Sequence, residues 1–131
     1  MSSKDISGRP LSPHLQVWKW TLTMALSIFH RATGSALAVG LALITWGLVS
    51  AATSPESYAQ FLTCMSSPIG QFMLIGWTFA LFFHMGTGVR HLIMDTGRML
   101  TAKQGDIAGA LIILFAILAT AYTWAVVKGL V

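Results

Sequence analysis

The sequence predicts an all-α membrane protein that crosses the bilayer three times. Of its 131 residues, 55% are hydrophobic and only 9% are charged, which is far more apolar than an ordinary soluble domain. Three apolar runs each have close to the ~20 residues that a helix needs to cross ~30 Å of hydrocarbon. These runs are Thr33–Ala52, Ile69–Val89 and Ile107–Val127. We therefore expect a transmembrane domain over residues 21–131, with helices at about 21–52, 68–96 and 106–129.

The positions of the basic residues predict how the chain is oriented. The formal net charge is +4, but the basic side chains are dispersed at helix ends, which argues against a nucleic-acid partner. Basic residues flank the start of the first span and the second connection, whereas the first connection carries only Glu56. They are Lys4, Arg9, Lys19, Arg31, Arg90, Arg98 and Lys103. By the positive-inside rule, the N-terminus and the second connection are cytoplasmic, and the C-terminus with Lys128 is outside.

Residues 1–20 are expected to form a cytoplasmic arm before the first helix. Pro10 and Pro13 prevent a continuous helix through this segment. Trp18 and Trp20 are typical of an anchor at the level of the lipid headgroups. The segment has neither the apolar core of a secretory signal nor the composition of a transit sequence, so we expect no cleavage there.

The cytoplasmic end of the first span has one polar face. Ser27, Arg31 and Gly34 share this face at helical spacing, and His30 lies beside them. A hydroxyl and a guanidinium at this depth can hold a polar head group or a carboxylate. Alternatively, Arg31 is an ordinary flanking charge that reaches lipid phosphates, and Ser27 bonds to the backbone four residues earlier. From the residues alone, the second interpretation is the more common one.

The first connection carries helix-start signals and no evident chemistry. Ser54-Pro55-Glu56 is typical of the cap of a short interfacial helix, and Ser67-Pro68 is typical of the start of the second span. Cys64 is the only cysteine, so no intrachain disulfide is possible, and it indicates no redox compartment.

The second span contains the polar residues that most need an explanation. At about 100° per residue, His84, Gly88, His91 and Asp95 fall on one stripe of the helix. Polar and charged groups inside hydrocarbon cost several kcal/mol unless they face a polar or metallic partner. A membrane histidine most often hydrogen-bonds to another helix. The alternative is a metal ligand, and we take this stripe as the first candidate site.

Small residues beside His84 favour the ligand interpretation. Gly86 and Gly88 are expected to remove side-chain bulk next to the imidazole, which would let a flat macrocycle approach the backbone. Phe82 and Phe83 could wall such a ring, although aromatic residues at this spacing usually serve packing alone.

The spacing of the histidines implies that a haem here would need a second chain. His84 and His91 project on the same side of one helix, so they cannot ligate opposite faces of one haem. His14 and His30 lie at or outside the cytoplasmic boundary, so the opposite ligand would come from another polypeptide. His91 is placed for the polar edge of the ring or for pairing with Asp95.

The rest of the second and third spans is expected to be scaffold. Arg90 points roughly 240° away from His84, which favours an ordinary cytoplasmic flanking charge. Asp106 is expected to cap the third helix, and Tyr122 and Trp124 are typical of an aromatic belt at the outer face.

Three motifs together resemble one family of respiratory proteins. They are Arg9-Pro10-Leu11-Ser12-Pro13-His14, Ser27-x-x-His30-Arg31-x-Thr33-Gly34 and His84-x-x-x-Gly88-Val89-Arg90-His91-x-x-x-Asp95-x-Gly97. The chain resembles the cytochrome b556 membrane anchors of succinate dehydrogenase, respiratory complex II, over nearly its whole length.

The resemblance implies partners and cofactors. A second three-helix anchor subunit would share haem b with this chain, and an iron–sulfur subunit and a flavoprotein would dock on the cytoplasmic side. Electrons from succinate would pass through FAD and iron–sulfur clusters to ubiquinone. The chain alone would have no catalytic residue, and its location would be the inner membrane of a bacterium.

The resemblance also assigns roles to individual residues. His84 would be an axial ligand of the haem iron. Ser27 and Arg31 would line the quinone pocket, and His30, Arg31 and His91 would lie around the haem propionates.

Two other functions stay open at this point. The chain could be the anchor of a fumarate reductase that oxidises menaquinol, a reaction in the opposite direction. It could also be a non-enzymatic helical scaffold whose histidines only hydrogen-bond between helices.

Overall fold

The computed structural model describes Trp18 and residues 20–130, and this part of the chain is helical, without strands. The helices are α1 (Leu22–Thr53), α2 (Pro55–Ser66), α3 (Pro68–Asp95) and α4 (Ala102–Val127). Three of them, α1, α3 and α4, are long and apolar enough to cross a membrane. The predicted fold class and the three spans are confirmed. The motif at residues 9–14 and the expected arm lie outside the described residues, except for Trp18 and Trp20.

Serine side chains cap the N-termini of α2 and α3. The hydroxyl of Ser54 accepts a hydrogen bond from the backbone N–H of Ser57 at 3.1 Å, with Pro55 in the first turn of α2. Ser67 caps α3 in the same way, with Pro68 as its first residue. Both helix starts agree with the sequence prediction, because proline has no N–H to lose at a position where none is bonded.

Helix α4 begins earlier than predicted. The expectation that Asp106 caps it is wrong, because Thr101 and Gln104 form a reciprocal capping box and Asp106 lies inside the helix. The preceding turn uses two left-handed residues, Gly97 with φ 78° and Met99 with φ 57°. Because this turn is short, α4 already begins at Ala102, and the polar residues just before Asp106 are part of the helix.

Helix α3 is the centre of the bundle, since it packs against both α1 and α4, while α2 lies mainly against α1. The buried centre is small and includes Leu26, Phe83 and Ala116, with Phe79, Phe82, Ile112 and Ile113 packed around it. Most other large apolar side chains are exposed. This distribution is expected when lipid, and not water, surrounds the helices.

Glycines allow the helices to approach closely. The indole of Trp77 on α3 lies where a Cβ at Gly40 of α1 would sit. A Cβ at Gly109 of α4 would likewise overlap the side chain of Leu26. Small residues at such crossings are typical of membrane helices, because packing rather than water exclusion holds them together.

Candidate functional site

Three imidazoles from two helices meet between the first part of α1 and the last part of α3. The rings of His30 and His84 stack at 4.0 Å between centroids with an interplanar angle of 8°. His91 lies 4.9 Å from His30, with its ring tilted by 41°. The sequence placed His84 and His91 on one stripe, and the antiparallel packing of α1 on α3 adds His30 to them.

Hydrogen bonds determine which ring nitrogen of His84 carries the proton. Its Nδ1 lies 3.1 Å from the backbone oxygen of His30 and 3.3 Å from Oγ1 of Thr33. A carbonyl only accepts, so Nδ1 is the nitrogen that carries the proton. Nε2 makes no hydrogen bond to any described residue and keeps its lone pair.

His30 and His91 are held in the same way through Thr87. The Thr87 hydroxyl lies 2.7 Å from Nδ1 of His30, and it also lies 2.8 Å from the backbone oxygen of Phe83 and 3.0 Å from that of His84. Nδ1 of His91 donates to the backbone oxygen of Thr87 at 2.8 Å. No described hydrogen bond joins His91 to Asp95. The structure therefore does not support the pairing of these two residues that the sequence offered as one alternative.

Thr87 was missed by the sequence analysis. It is the most buried polar side chain of α3, at 1% exposure. The available signal was its position, because it lies three residues after His84 and four before His91, where a hydroxyl reaches the same helix face.

The glycines around the imidazoles have different roles. A Cβ at Gly34 of α1 would lie 2.9 Å from Cε1 of His84, so this glycine lets the ring rest on α1. A Cβ at Gly88 would meet nothing within 4 Å, which leaves the space beside His84 that the sequence predicted. The same expectation for Gly86 is wrong, because a Cβ there would meet Ile112 of α4 at 2.9 Å.

Phe82 and Phe83 serve packing. Phe83 is 4% exposed and stacks on Phe79 at 6.0 Å between ring centroids. Phe82 makes an edge contact with Phe115 of α4, also at 6.0 Å. Both rings therefore belong to the bundle interior rather than to a wall beside His84.

A second candidate site opens on another face of α1. Ser27 and Arg31 line a cavity of about 440 Å³ together with Trp18, Trp20 and Met24. The Nε of Arg31 donates to the backbone oxygen of Ser27 at 3.4 Å. The Ser27 hydroxyl has no partner among the described residues, so the alternative bond to the backbone four residues earlier is not present.

Arg90 differs from its expected role as an exposed flanking charge. It is only 8% exposed, and its buried Nε has no hydrogen-bond partner among the described residues. Its guanidinium lies close to Gly105 of α4, and so does the side chain of Thr23 of α1. Periodicity did place it away from His84, but it could not show that this other face is the one covered by two helices.

Comparison with known proteins identifies the family. Residues 5–123 match the family described as succinate dehydrogenase/fumarate reductase transmembrane subunit. The succinate dehydrogenase cytochrome b556 subunit of Paracoccus denitrificans is 43% identical over 104 residues, which is 79% of this chain and 80% of the relative.

Further relatives come from another bacterium and from mitochondria. The cytochrome b556 subunit of Rickettsia felis is 34% identical over 116 residues, 88% of this chain and 90% of the relative. The mitochondrial cytochrome b560 subunit of Mus musculus is 36% identical over 119 residues, 87% of this chain and 69% of the relative. The extent of these matches and the three spanning helices show that this chain belongs to the family of succinate dehydrogenase/fumarate reductase transmembrane subunits.

Proposed function

We propose that this chain is the membrane anchor of a succinate:quinone oxidoreductase, where it binds haem b and forms part of the ubiquinone site. The observation that carries the haem assignment is the state of His84. Its Nδ1 is fixed by the backbone oxygen of His30 at 3.1 Å, and its Nε2 is unbonded within the described residues. An imidazole oriented in this way, with its other nitrogen tied to a carbonyl, is typical of a metal-ligating histidine.

The surroundings of His84 fit a haem. Gly88 leaves open space next to the ligand, as a flat ring requires. His30, His91 and Arg31 offer nitrogen atoms for the propionates, and their chemistry suits carboxylates. The haem would supply reversible one-electron transfer, while the protein residues hold it, set its orientation and balance its charge.

The second axial ligand is assigned to a partner anchor subunit. His30 stacks face to face on His84, and His91 shares helix α3 with His84. No other histidine of the described residues comes near, so in this proposal a histidine of another chain would be the other residue that holds the haem.

The Ser27–Arg31 cavity suits the head group of a quinone. The hydroxyl of Ser27 can donate to a quinone carbonyl, and Arg31 can stabilise negative charge on the oxygen as electrons arrive. The tryptophans and Met24 supply an apolar wall. Electrons would come from succinate through the FAD and iron–sulfur clusters of two partner subunits docked on the cytoplasmic side.

The setting of this function is the inner membrane of a bacterium, and the related Paracoccus and Rickettsia subunits make this location plausible. The helices bear the lipid-exposed surface of a multi-pass protein. In this proposal the chain contributes binding and positioning, and the isolated subunit would turn over nothing.

The test is the absorption spectrum of the purified complex with its partner subunits. The wild type is expected to show a Soret band, and His84→Ala is expected to lose the haem or its low-spin spectrum. Val89→Ala, a substitution on the exposed side of the same helix, serves as the matched control and is expected to keep the wild-type spectrum. A wild-type complex without a Soret band would instead favour the scaffold function.

A menaquinol-oxidising fumarate reductase anchor is the second candidate, because the matched family includes both enzymes. The quinone extracted from the host membranes and the haem potential separate the two. Ubiquinone supports the succinate dehydrogenase assignment, and menaquinone with a low-potential haem supports the other.

A further inference from the structure

We propose that Thr87 is a positioning residue that sets the plane of the His84 imidazole through His30. The inference rests on the proposed role of His84 as haem ligand. The Thr87 side chain hydrogen-bonds to His30, and the His30 ring stacks on the His84 ring. The effect of Thr87 on the plane of the His84 ring is therefore indirect. The consequence concerns the orientation of the ligand rather than its presence.

The first link is the hydrogen bond between Thr87 and His30. The Thr87 hydroxyl lies 2.7 Å from Nδ1 of His30, and when it donates to the backbone oxygen of Phe83 at 2.8 Å its lone pair accepts from Nδ1–H. Thr87 is 1% exposed, so water cannot replace the hydroxyl if it is removed. An unpaired buried N–H is costly, and the His30 ring would turn to find another acceptor.

The second link is the contact between His30 and His84. The two rings are nearly parallel, with an interplanar angle of 8° and 4.0 Å between centroids. The His84 ring also lies close to Gly34 of α1, because a Cβ at residue 34 would be 2.9 Å from Cε1. The backbone oxygen of His30 also accepts from Nδ1 of His84 at 3.1 Å. Helix α1 therefore fixes both the tautomer and the plane of the proposed ligand.

A merely structural role for Thr87 gives a different outcome. Thr120 on α4 offers the comparison, because it is also buried, at 8% exposure, and its hydroxyl donates to the backbone oxygen of Ala116 at 2.7 Å. Among the described residues, Thr120 bonds no histidine. Valine at either position keeps the shape and removes the hydroxyl, but only at residue 87 does this also remove a partner of His30 and a bond to the backbone oxygen of His84 at 3.0 Å.

The experiment compares Thr87→Val, Thr87→Ser and Thr120→Val in the complete purified complex. Three quantities are measured: the largest g value of the ferric low-spin haem by electron paramagnetic resonance, the haem midpoint potential, and the rate of haem loss in detergent. The first two report ligand orientation, which a packing defect elsewhere would not change.

Thr87→Val is expected to shift the g value and the potential and to raise the rate of haem loss by up to about 10-fold, as for residues that orient a metal ligand. Thr87→Ser and Thr120→Val are expected to match the wild type. If the valine variant does not assemble, Thr87→Ala is measured against Thr120→Ala in its place.

Two results overturn the inference: wild-type values in Thr87→Val, or an equal shift in Thr120→Val. Neither result bears on whether the wild-type complex binds haem, which its Soret band tests separately.

Discussion

At the level of single residues, the three imidazoles are all held by the same ring nitrogen. His30, His84 and His91 use Nδ1 to bond an oxygen of the protein. The partner of His84 is a carbonyl, so its proton is on Nδ1 and Nε2 is the atom left for a metal. The backbone oxygen of His30 therefore selects the tautomer of the proposed ligand, whereas His30 and His91 would need a proton on Nε2 to bond a propionate.

The Ser27–Arg31 cavity leads to a prediction about quinone chemistry. Ser27→Ala and Arg31→Leu are expected to lower succinate:quinone turnover, by as much as about 100-fold where a donor to the reacting oxygen is lost. Succinate oxidation with an artificial electron acceptor is expected to be unchanged, because that reaction needs only the flavoprotein and iron–sulfur subunits. Steady-state assays of both reactions on the same membranes measure the difference.

Two controls match these substitutions. Ser35→Ala changes an exposed serine of the same helix whose hydroxyl donates to the backbone oxygen of Arg31, and Arg98→Leu removes an exposed charge of the second connection. Both are expected to retain quinone turnover. Full turnover in the Ser27 and Arg31 variants would exclude this cavity as the quinone site.

At the level of the helices, the site depends on how closely α1 approaches α3. The backbone oxygen of His30 and the ring of His30 both come from α1, and they reach His84 because residue 34 has no side chain. Their positions follow from the separation of the two helices. Any side chain at residue 34 changes that separation or moves the imidazole.

Gly34→Ala is therefore expected to displace His84. The new Cβ would lie 2.9 Å from Cε1, so the ring must shift by a few tenths of an ångström while Nδ1 is still bonded to α1. We expect a lower ratio of haem to flavin and a broadened low-spin signal in the purified complex. Gly76→Ala is the control, because it adds the same methyl group to α3 where nothing lies within 4 Å. Wild-type haem content in Gly34→Ala would contradict the close contact.

The same contact shows what the sequence could and could not predict. The spans, the caps at Ser54 and Ser67 and the stripe through His84 and His91 follow from local patterns, because hydropathy and periodicity act within one helix. The stacking of His30 on His84 and the burial of Arg90 depend on the register between helices. That register is set by close approaches such as the one at Gly34, which no single-helix pattern contains.

At the level of the whole molecule, the chain exposes most of its large apolar side chains and keeps its polar site between helices. The described part of the bundle buries few residues, so lipid and partner subunits must cover the rest. The charged residues are also distributed unevenly between the two ends of the spans. Arg31, Arg98 and Lys103 lie at one end of the spans, and Glu56 lies in the connection at the other.

This asymmetry predicts the topology of the chain. Positive residues near span ends are retained on the cytoplasmic side, so the second connection is expected to be cytoplasmic and the C-terminus outside. Alkaline phosphatase, which is active only outside the cytoplasm, is expected to be active when fused after the last residue and inactive when inserted at residues 97–101. Green fluorescent protein, which folds only inside, should give the opposite pattern at the same two positions. Phosphatase activity from the second connection would place Ser27 and Arg31 on the outer side, away from any cytoplasmic iron–sulfur subunit, and the proposed electron path from succinate to the quinone would then be impossible.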